Sequence, residues 1–319
     1  MQPIISDKKM KALYLFLVLS LSAYLSSDMH FKIMYQKVQE ALPSASGIVK
    51  CHGFYYAIGD DAPFLFKLND AFDIIAQYPI HPMTGDLKNV RIAKKDKPDF
   101  EALEMVSENE MIGFGSGSKS PERDEFVKIV IHDTVSVKKY KLTAFYNALK
   151  NMEILKDSEL NIEAATYSNE VLYLFNRRKN VVFSVNYKDF LAFLENNAAF
   201  PVIKYTVFEL PKINGIEAGF SGATISQNTG KILVTSSVEN TDNAYDDGEI
   251  LGSFIGVISL ENTEIKSPIY WIPVNNQDKP LKVESITIDR EISERELAVV
   301  LTTDSDGGQS IFLKGNLTW

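Results

Sequence analysis

The sequence predicts an all-β chain folded as a single β-propeller of about five four-stranded blades, its ring closed by the N-terminal strand. Three observations predict it. A short phrase recurs five times along the chain, the same succession of β-rich runs follows each copy, and the last copy lacks a strand while a spare one precedes the first. Composition allows the fold: 45% of the 319 residues are hydrophobic, enough for a large core, and closed all-β folds often reach this length as one domain.

The phrase is an apolar residue, then Glu or Ser, then Gly, Ala or Ser, then an aliphatic residue. It reads Ala45-Ser46-Gly47-Ile48, Phe100-Glu101-Ala102-Leu103, Ile162-Glu163-Ala164-Ala165, Phe220-Ser221-Gly222-Ala223 and Val283-Glu284-Ser285-Ile286. The anchors at 46, 101, 163, 221 and 284 lie 55, 62, 58 and 63 residues apart.

A second run rich in Val, Ile and aromatics follows each phrase: Phe54 to Ile58, Met111 to Phe114, Val171 to Phe175, Ile232 to Thr235 and Leu297 to Leu301. Turn residues such as Gln227-Asn228-Thr229-Gly230 separate the first two runs. Third runs come next: Phe64 to Leu68, Phe126 to Ile131, Val181 to Val185, Phe254 to Leu260 and Ile311 to Leu313. Fourth runs follow in four copies: Phe72 to Ile80, Val135 to Leu142, Val202 to Leu210 and Ile269 to Val274. The fifth copy has none, and the unpartnered segment Phe31 to Val38 is expected to complete it, which would also protect the sheet edges. Tyr187 to Asn196 reads as a short helix between strands. A sixth blade within the irregular stretch Thr143 to Leu160 is the rival on blade number.

The propeller is expected over 28–319, after a leader spanning 1–27. Lys8, Lys9 and Lys11 precede an apolar run from Ala12 to Leu25, and Ser26 and Ser27 follow it. That is the layout of a secretory signal, too short for a comfortable transmembrane helix, and it implies a periplasmic or secreted protein with no stable membrane span after processing. If the segment is instead a buried strand or helix, a cytoplasmic protein is expected. Cys51 is the only cysteine, so no internal disulfide and no thiolate metal cluster can form. A net charge of -9 argues against a nucleic-acid partner, which needs clustered Lys and Arg.

Topology assigns faces. In a four-stranded meander blade the innermost strand starts on one rim, and the connection from second to third strand returns there. Glu101, Glu163 and Glu284 are therefore expected at the mouth of the central channel on three blades, with Ser46 and Ser221 in the equivalent places on the others. Above them the loops bring Asp60, Asp61, Arg123, and Arg177 or Arg178. Adjacent residues of a strand point oppositely, and Arg178 is the expected inward member. Three carboxylates facing one axis repel unless a cation, a water network or inserted arginines offset them. Calcium would suit Glu101, Glu163 and Glu284 as an all-oxygen set. The alternative role is structural, each Glu accepting backbone N–H groups of the next blade and stapling the ring.

Other motifs carry less. Gly113-Phe114-Gly115-Ser116-Gly117 follows a strand without opening a helix, so it fails the dinucleotide context and reads as a flexible hairpin loop, its N–H groups and Arg123 available to an anion. Asp304-Ser305-Asp306-Gly307 lacks the later ligands of a calcium loop and reads as a turn, like Asp246-Asp247-Gly248. His30, His52, His81 and His132 show no paired spacing for zinc, and no Gly-x-Ser-x-Gly elbow marks a serine nucleophile.

The phrases Pro43-Ser44-Ala45-Ser46-Gly47-Ile48, Ala57-Ile58-Gly59-Asp60-Asp61, Asp99-Phe100-Glu101-Ala102-Leu103 and Gly115-Ser116-Gly117-Ser118 resemble an uncharacterised bacterial propeller family known as a domain of unknown function, over Leu42 to Lys314. More distantly, the Glu-Ala/Ser phrase is similar to phytase-like and esterase-like propeller domains. That resemblance implies a top-face pocket, calcium and phosphoester hydrolysis, although the chain lacks the dense aspartate set of an alkaline phytase. Three functions stand open: a binding or scaffold propeller for a small polar or anionic ligand; a hydrolase with Glu101 or Glu163 as base and Arg123 or Arg178 stabilising negative charge; and an interaction platform using the Ser236 to Gly248 segment.

Overall fold

Five four-stranded antiparallel sheets ring a central axis in a computed structural model that describes residues 29–82, 91–196, 198–241, 248–274, 279–304 and 309–319, with backbone alone for 267–269. The predicted leader falls outside the described residues. Blade 1 is β2 (Ala45–Cys51), β3 (Phe54–Gly59), β4 (Phe64–Leu68) and β5 (Ile74–Pro79). Blade 2 is β6 (Phe100–Met105), β7 (Glu110–Gly115), β8 (Glu125–Ile131) and β9 (Val135–Lys141). Blade 3 is β10 (Ile162–Ser168), β11 (Val171–Asn176), β12 (Val181–Asn186) and β13 (Ile203–Val207). A small hairpin, β14 (Lys212–Ile213) with β15 (Ile216–Glu217), leads to blade 4: β16 (Gly219–Ser226), β17 (Lys231–Asn240), β18 (Glu249–Glu261) and β19 (Glu264–Pro273). Blade 5 holds β20 (Lys282–Ser293), β21 (Glu296–Asp304) and β22 (Gln309–Thr318), and the N-terminal β1 (His30–Pro43) supplies its outer strand.

The innermost strands β2, β6, β10, β16 and β20 neighbour one another in that order and close back on β2. The stretch after blade 2 holds no sixth blade. Helix α1 (Thr143–Lys150) and a 3-10 turn at Glu153–Leu155 occupy it, because Phe145, Tyr146 and Leu149 form one apolar face that packs between blades 2 and 3. Lys150 in the last turn suits the helix dipole. The predicted helix is α2 (Tyr187–Asn196), which seats Phe190 in the same cluster.

Closure rests on more than the pairing of β1 with β22. The fully buried Phe72 of blade 1 stacks on Phe312 of β22 at 5.1 Å and on Tyr35 of β1 at 6.1 Å. Its backbone sits at φ +61°, a conformation that a bulky residue adopts only when its surroundings impose it. Gln39 of β1 donates to its carbonyl at 2.9 Å. Closure therefore depends on one aromatic plug shared by both ends of the chain. Phe72→Ala keeps the backbone strain and empties the plug, so it is expected to cost about 3–5 kcal/mol in urea unfolding; a loss below about 1 kcal/mol would show that the strand pairing alone seals the ring.

Candidate functional site

In every blade the register between the first two strands slips at the anchor of the recurring phrase: Ser46, Glu101, Glu163, Ser221 and Glu284; blade 5 slips again farther along, at Asp289 and Ile292. A β-bulge leaves its extra residue out of the ladder and re-aims the side chain, here at the start of each innermost strand. The next position must be small because the neighbouring innermost strand lies against it. A Cβ on Gly47 would stand 2.9 Å from Leu103 Cβ, and one on Gly222 would stand 2.7 Å from Ser285 Cα. Ala102, Ala164 and Ser285 satisfy the same limit in the other blades.

Two residues before the bulges stand Ser44, Asp99, Asn161, Gly219 and Lys282. Asn161 Nδ2 donates to Glu163 Oε1 at 2.6 Å, and Lys282 Nζ pairs with Glu284 Oε1 at 3.4 Å. In blade 4 the place is a glycine, and Arg177 from blade 3 lies across it; a Cβ there would stand 3.0 Å from the Arg177 Nε. The guanidinium thereby reaches Glu163 at 3.6 Å and Glu239 at 3.1 Å. Lys282 also faces Glu239 and Asp304, each at 3.8 Å. On the opposite side Lys97 bridges Asp60 and Asp99, and Arg123 holds Asp99 at 2.7 Å.

The three predicted glutamates therefore do converge. Burial raises the carboxyl of Glu163 above its ordinary range, and Arg177 and Lys282 only partly offset that. Burial likewise pushes Glu284 up to about 8, with Glu163 adding repulsion and Lys282 and Arg177 opposing. Glu101 is raised well above its usual range by burial and then by Asp99, Glu163 and Asp60. Burial alone would lower Arg177, but Glu163, Glu284, Glu239 and Glu101 outweigh it and hold the guanidinium charged. Glu101 keeps partial solvent exposure, and among the described residues no hydrogen bond or ion pair closes on it.

Several placements differ from the sequence reading. Arg177, not Arg178, reaches the glutamates; Arg178 turns outward toward Glu159 at 3.9 Å, because it sits in a one-turn 3-10 helix where strand alternation does not apply. Arg123 is buried within blade 2 on Asp99 and Ser118, not open to a ligand. Asp60 belongs to the cluster, whereas Asp61 pairs with Arg91 at 2.5 Å, its carboxyl pushed up to about 6 by burial and by Asp60. Ser221 bonds Thr235 within its own blade at 3.1 Å.

Several seams between blades are stapled by hydroxyls. Ser46 donates to Phe100 O of blade 2, Ser237 to Val283 O of blade 5 at 2.7 Å, and Ala45 N–H donates to Ser310 Oγ at 2.8 Å. Among the described residues none of the three anchor glutamates accepts a neighbouring blade's N–H group; Glu104 does, from Tyr167. The glycine segment is packed: Gly113 and Gly115 lie in β7, Tyr146 donates to Gly115 O at 2.6 Å, and the N–H groups of Ser116 and Gly117 are taken by Asp99 O and Arg123 O. No anion cradle remains there. Of the Ser236 to Gly248 segment, 242–247 lie outside the described residues, as do Ser305 to Gly308.

Calcium does not fit Glu101, Glu163 and Glu284, because Arg177 and Lys282 already supply the positive charge between Glu163 and Glu284. Asp60, Asp99 and Glu101 bring oxygens within 4.8 Å of one another, but the Lys97 ammonium occupies the bridging position a divalent ion would take. Sequence reasoning missed Lys97, Asp99, Glu239 and Lys282. The regular polar residue two places before the anchor would have found Asp99 and Lys282; Lys97 and Glu239 have no periodic mark.

Together a ring of bulged innermost strands and an interleaved charge cluster at the channel mouth define a five-bladed propeller with a charged mouth. The chain belongs to the family of unknown function DUF6929, which matches residues 41–317. Among solved structures it is similar to a glutaminyl cyclase from Myxococcus xanthus, with 9% identity, a TM-score of 0.50, and 91% of this chain and 96% of that one covered. It is also similar to a virginiamycin B lyase from Staphylococcus aureus, with 13% identity, a TM-score of 0.39, and 91% and 100% covered. At 9% identity the likeness to the cyclase concerns the fold alone. Comparison with curated proteins returns no match.

The raised carboxyls set a pH dependence. A folded-state pKa above the unfolded value means that folding takes up protons, so the contribution is full below about 4.5 and is lost as pH rises through about 8. The melting temperature is therefore expected to fall between about pH 5 and about pH 8, and the fall to shrink in Glu284→Gln. A wild-type stability that is flat or rising across that window would contradict the buried carboxyl cluster.

Proposed function

We propose that the protein is a binding propeller that holds a small neutral or cationic polar ligand at the channel mouth, with Glu101 as its principal contact. Glu101 carries the reading: it is the partly open carboxyl of a cluster whose other members are engaged. Acidic groups outnumber basic ones there, and Arg177 is already shared among glutamates, which disfavours an anionic ligand. A hydroxyl group entering the channel meets a carboxyl oxygen that needs no rearrangement, and an ammonium group would displace the proton that the raised carboxyl favours.

A second reading, ester or phosphoester hydrolysis with Glu101 or Glu163 in acid–base roles, draws on their raised proton affinity. It is the weaker one, because Arg123 and Arg178 are placed away from the mouth, and the cations that are there, Arg177, Lys282 and Lys97, are engaged by carboxylates.

Thermal-shift screening with a panel of polyols and primary amines, in wild type and Glu101→Gln, tests the proposal. Compounds are expected to stabilise the wild type and to lose at least about tenfold in affinity in the variant, whose own melting temperature barely moves. Stabilisation by carboxylates or phosphate alone, or equal stabilisation of both proteins, would overturn it; turnover of p-nitrophenyl esters or phosphates lost in Glu101→Gln would favour the hydrolytic reading.

A further inference from the structure

Beside the channel mouth lies a cleft of about 450 Å³ between blades 3 and 4, within the size range of small-molecule sites. Its walls have different chemistry. The blade 3 wall is the turn after β11, which presents Arg178 and Lys179. The facing wall is the connector to blade 4, which presents Glu209 and Glu217. Val207, Phe208, Ile216 and Ala218 supply apolar surface between them, and the Arg177–Glu239 pair closes the inner end.

The two walls keep their charges available. Among the described residues Arg178 has only the 3.9 Å approach to Glu159, and Lys179 only a 3.4 Å bond to the Lys156 carbonyl. Glu217 Oε1 is fixed by the Leu210 N–H at 2.8 Å and Asn180 Nδ2 at 3.3 Å, so the carboxylate is held in place, and among the described residues its second oxygen has no hydrogen bond. Among the described residues Glu209 makes no hydrogen bond or ion pair. Lys179 sits at φ +64°, a conformation that turns its side chain out of the ladder.

Basic groups on one wall, acidic groups on the other and apolar surface between them match a molecule with an ammonium, a carboxylate and a short apolar body. We infer that this cleft binds an α-amino acid with an aliphatic side chain, free or as part of a short peptide. The carboxylate lies toward Arg178 and Lys179, the ammonium toward Glu217 and Glu209, and the side chain on Phe208 and Ile216. Opposed charges on both ends fix the orientation, and each charged contact discriminates against an analogue lacking its partner. The cleft shares the Arg177–Glu239 pair with the channel mouth, but Glu101, the contact on which that proposal rests, does not line it, so the two readings are tested apart.

Calorimetric titration of the full chain tests this with L-leucine, leucinamide, 4-methylpentanoate and the dipeptide Leu-Leu. Leucine or the dipeptide is expected to bind at millimolar or better affinity, and each singly charged analogue at least about tenfold more weakly. Preference for Leu-Leu over leucine would identify a peptide as the ligand, and the reverse a free amino acid. Arg178→Ala, Lys179→Asn and Glu217→Gln, none of which removes a fold contact beyond those above, are each expected to weaken binding about tenfold, while Glu101→Gln changes it less than twofold. Absence of leucine and dipeptide binding, equal binding of a singly charged analogue, or insensitivity to the three cleft variants would overturn the inference.

Discussion

An arginine surrounded by glutamates at the start of the innermost strands is the interaction on which this site depends. Each anchor is pushed out of its ladder by a bulge, and three of the five are glutamates aimed at a common axis. Carboxylates brought together out of water repel and prefer to protonate. Arg177 and Lys282 keep part of the cluster ionised, and the residual proton affinity of the carboxyls measures how incomplete that compensation is. The arginine can enter only because blade 4 offers Gly219 where the other blades carry a side chain. Five nearly equivalent blades thus yield an asymmetric mouth.

Stability and site chemistry are separated within the same phrase. The first residue is apolar and fully buried in all five copies, and the third is small where innermost strands meet. Hydroxyls at seams, such as Ser46 and Ser237, hold neighbouring carbonyls without introducing charge. The anchor position is therefore free to carry a glutamate in three blades and a serine in two. Ring closure relies on a different device, the Phe72 plug, and lies at the seam of blades 5 and 1.

Blade number, strand order and closure were legible because each follows from hydrophobic runs, turn residues and one recurring phrase. The convergence of Glu101, Glu163 and Glu284 was legible for the same reason, as a consequence of register. The cations were harder to read. Arg177 and Arg178 are neighbours in a turn, and only the 3-10 geometry and the vacancy at Gly219 decide between them. Lys97 comes from the connector between blades 1 and 2, where no repeat constrains the chain. The glycines of Gly113 to Gly117 suggested a flexible loop, yet they are small because Val127, Arg123 and Tyr146 press on them. The helix at Thr143–Lys150 lacked the length to stand out from β-rich surroundings.

The central claim is that Arg177 neutralises the glutamate cluster, and thermal unfolding of Arg177→Gln at two pH values tests it most directly. At about pH 8 the variant is expected to lose several kcal/mol, the cost of uncompensated buried charge, and at about pH 5, where the raised carboxyls are protonated, most of that loss is expected to vanish. The same loss at both pH values would mean that Arg177 acts by packing alone, and the electrostatic account of the channel mouth would be wrong.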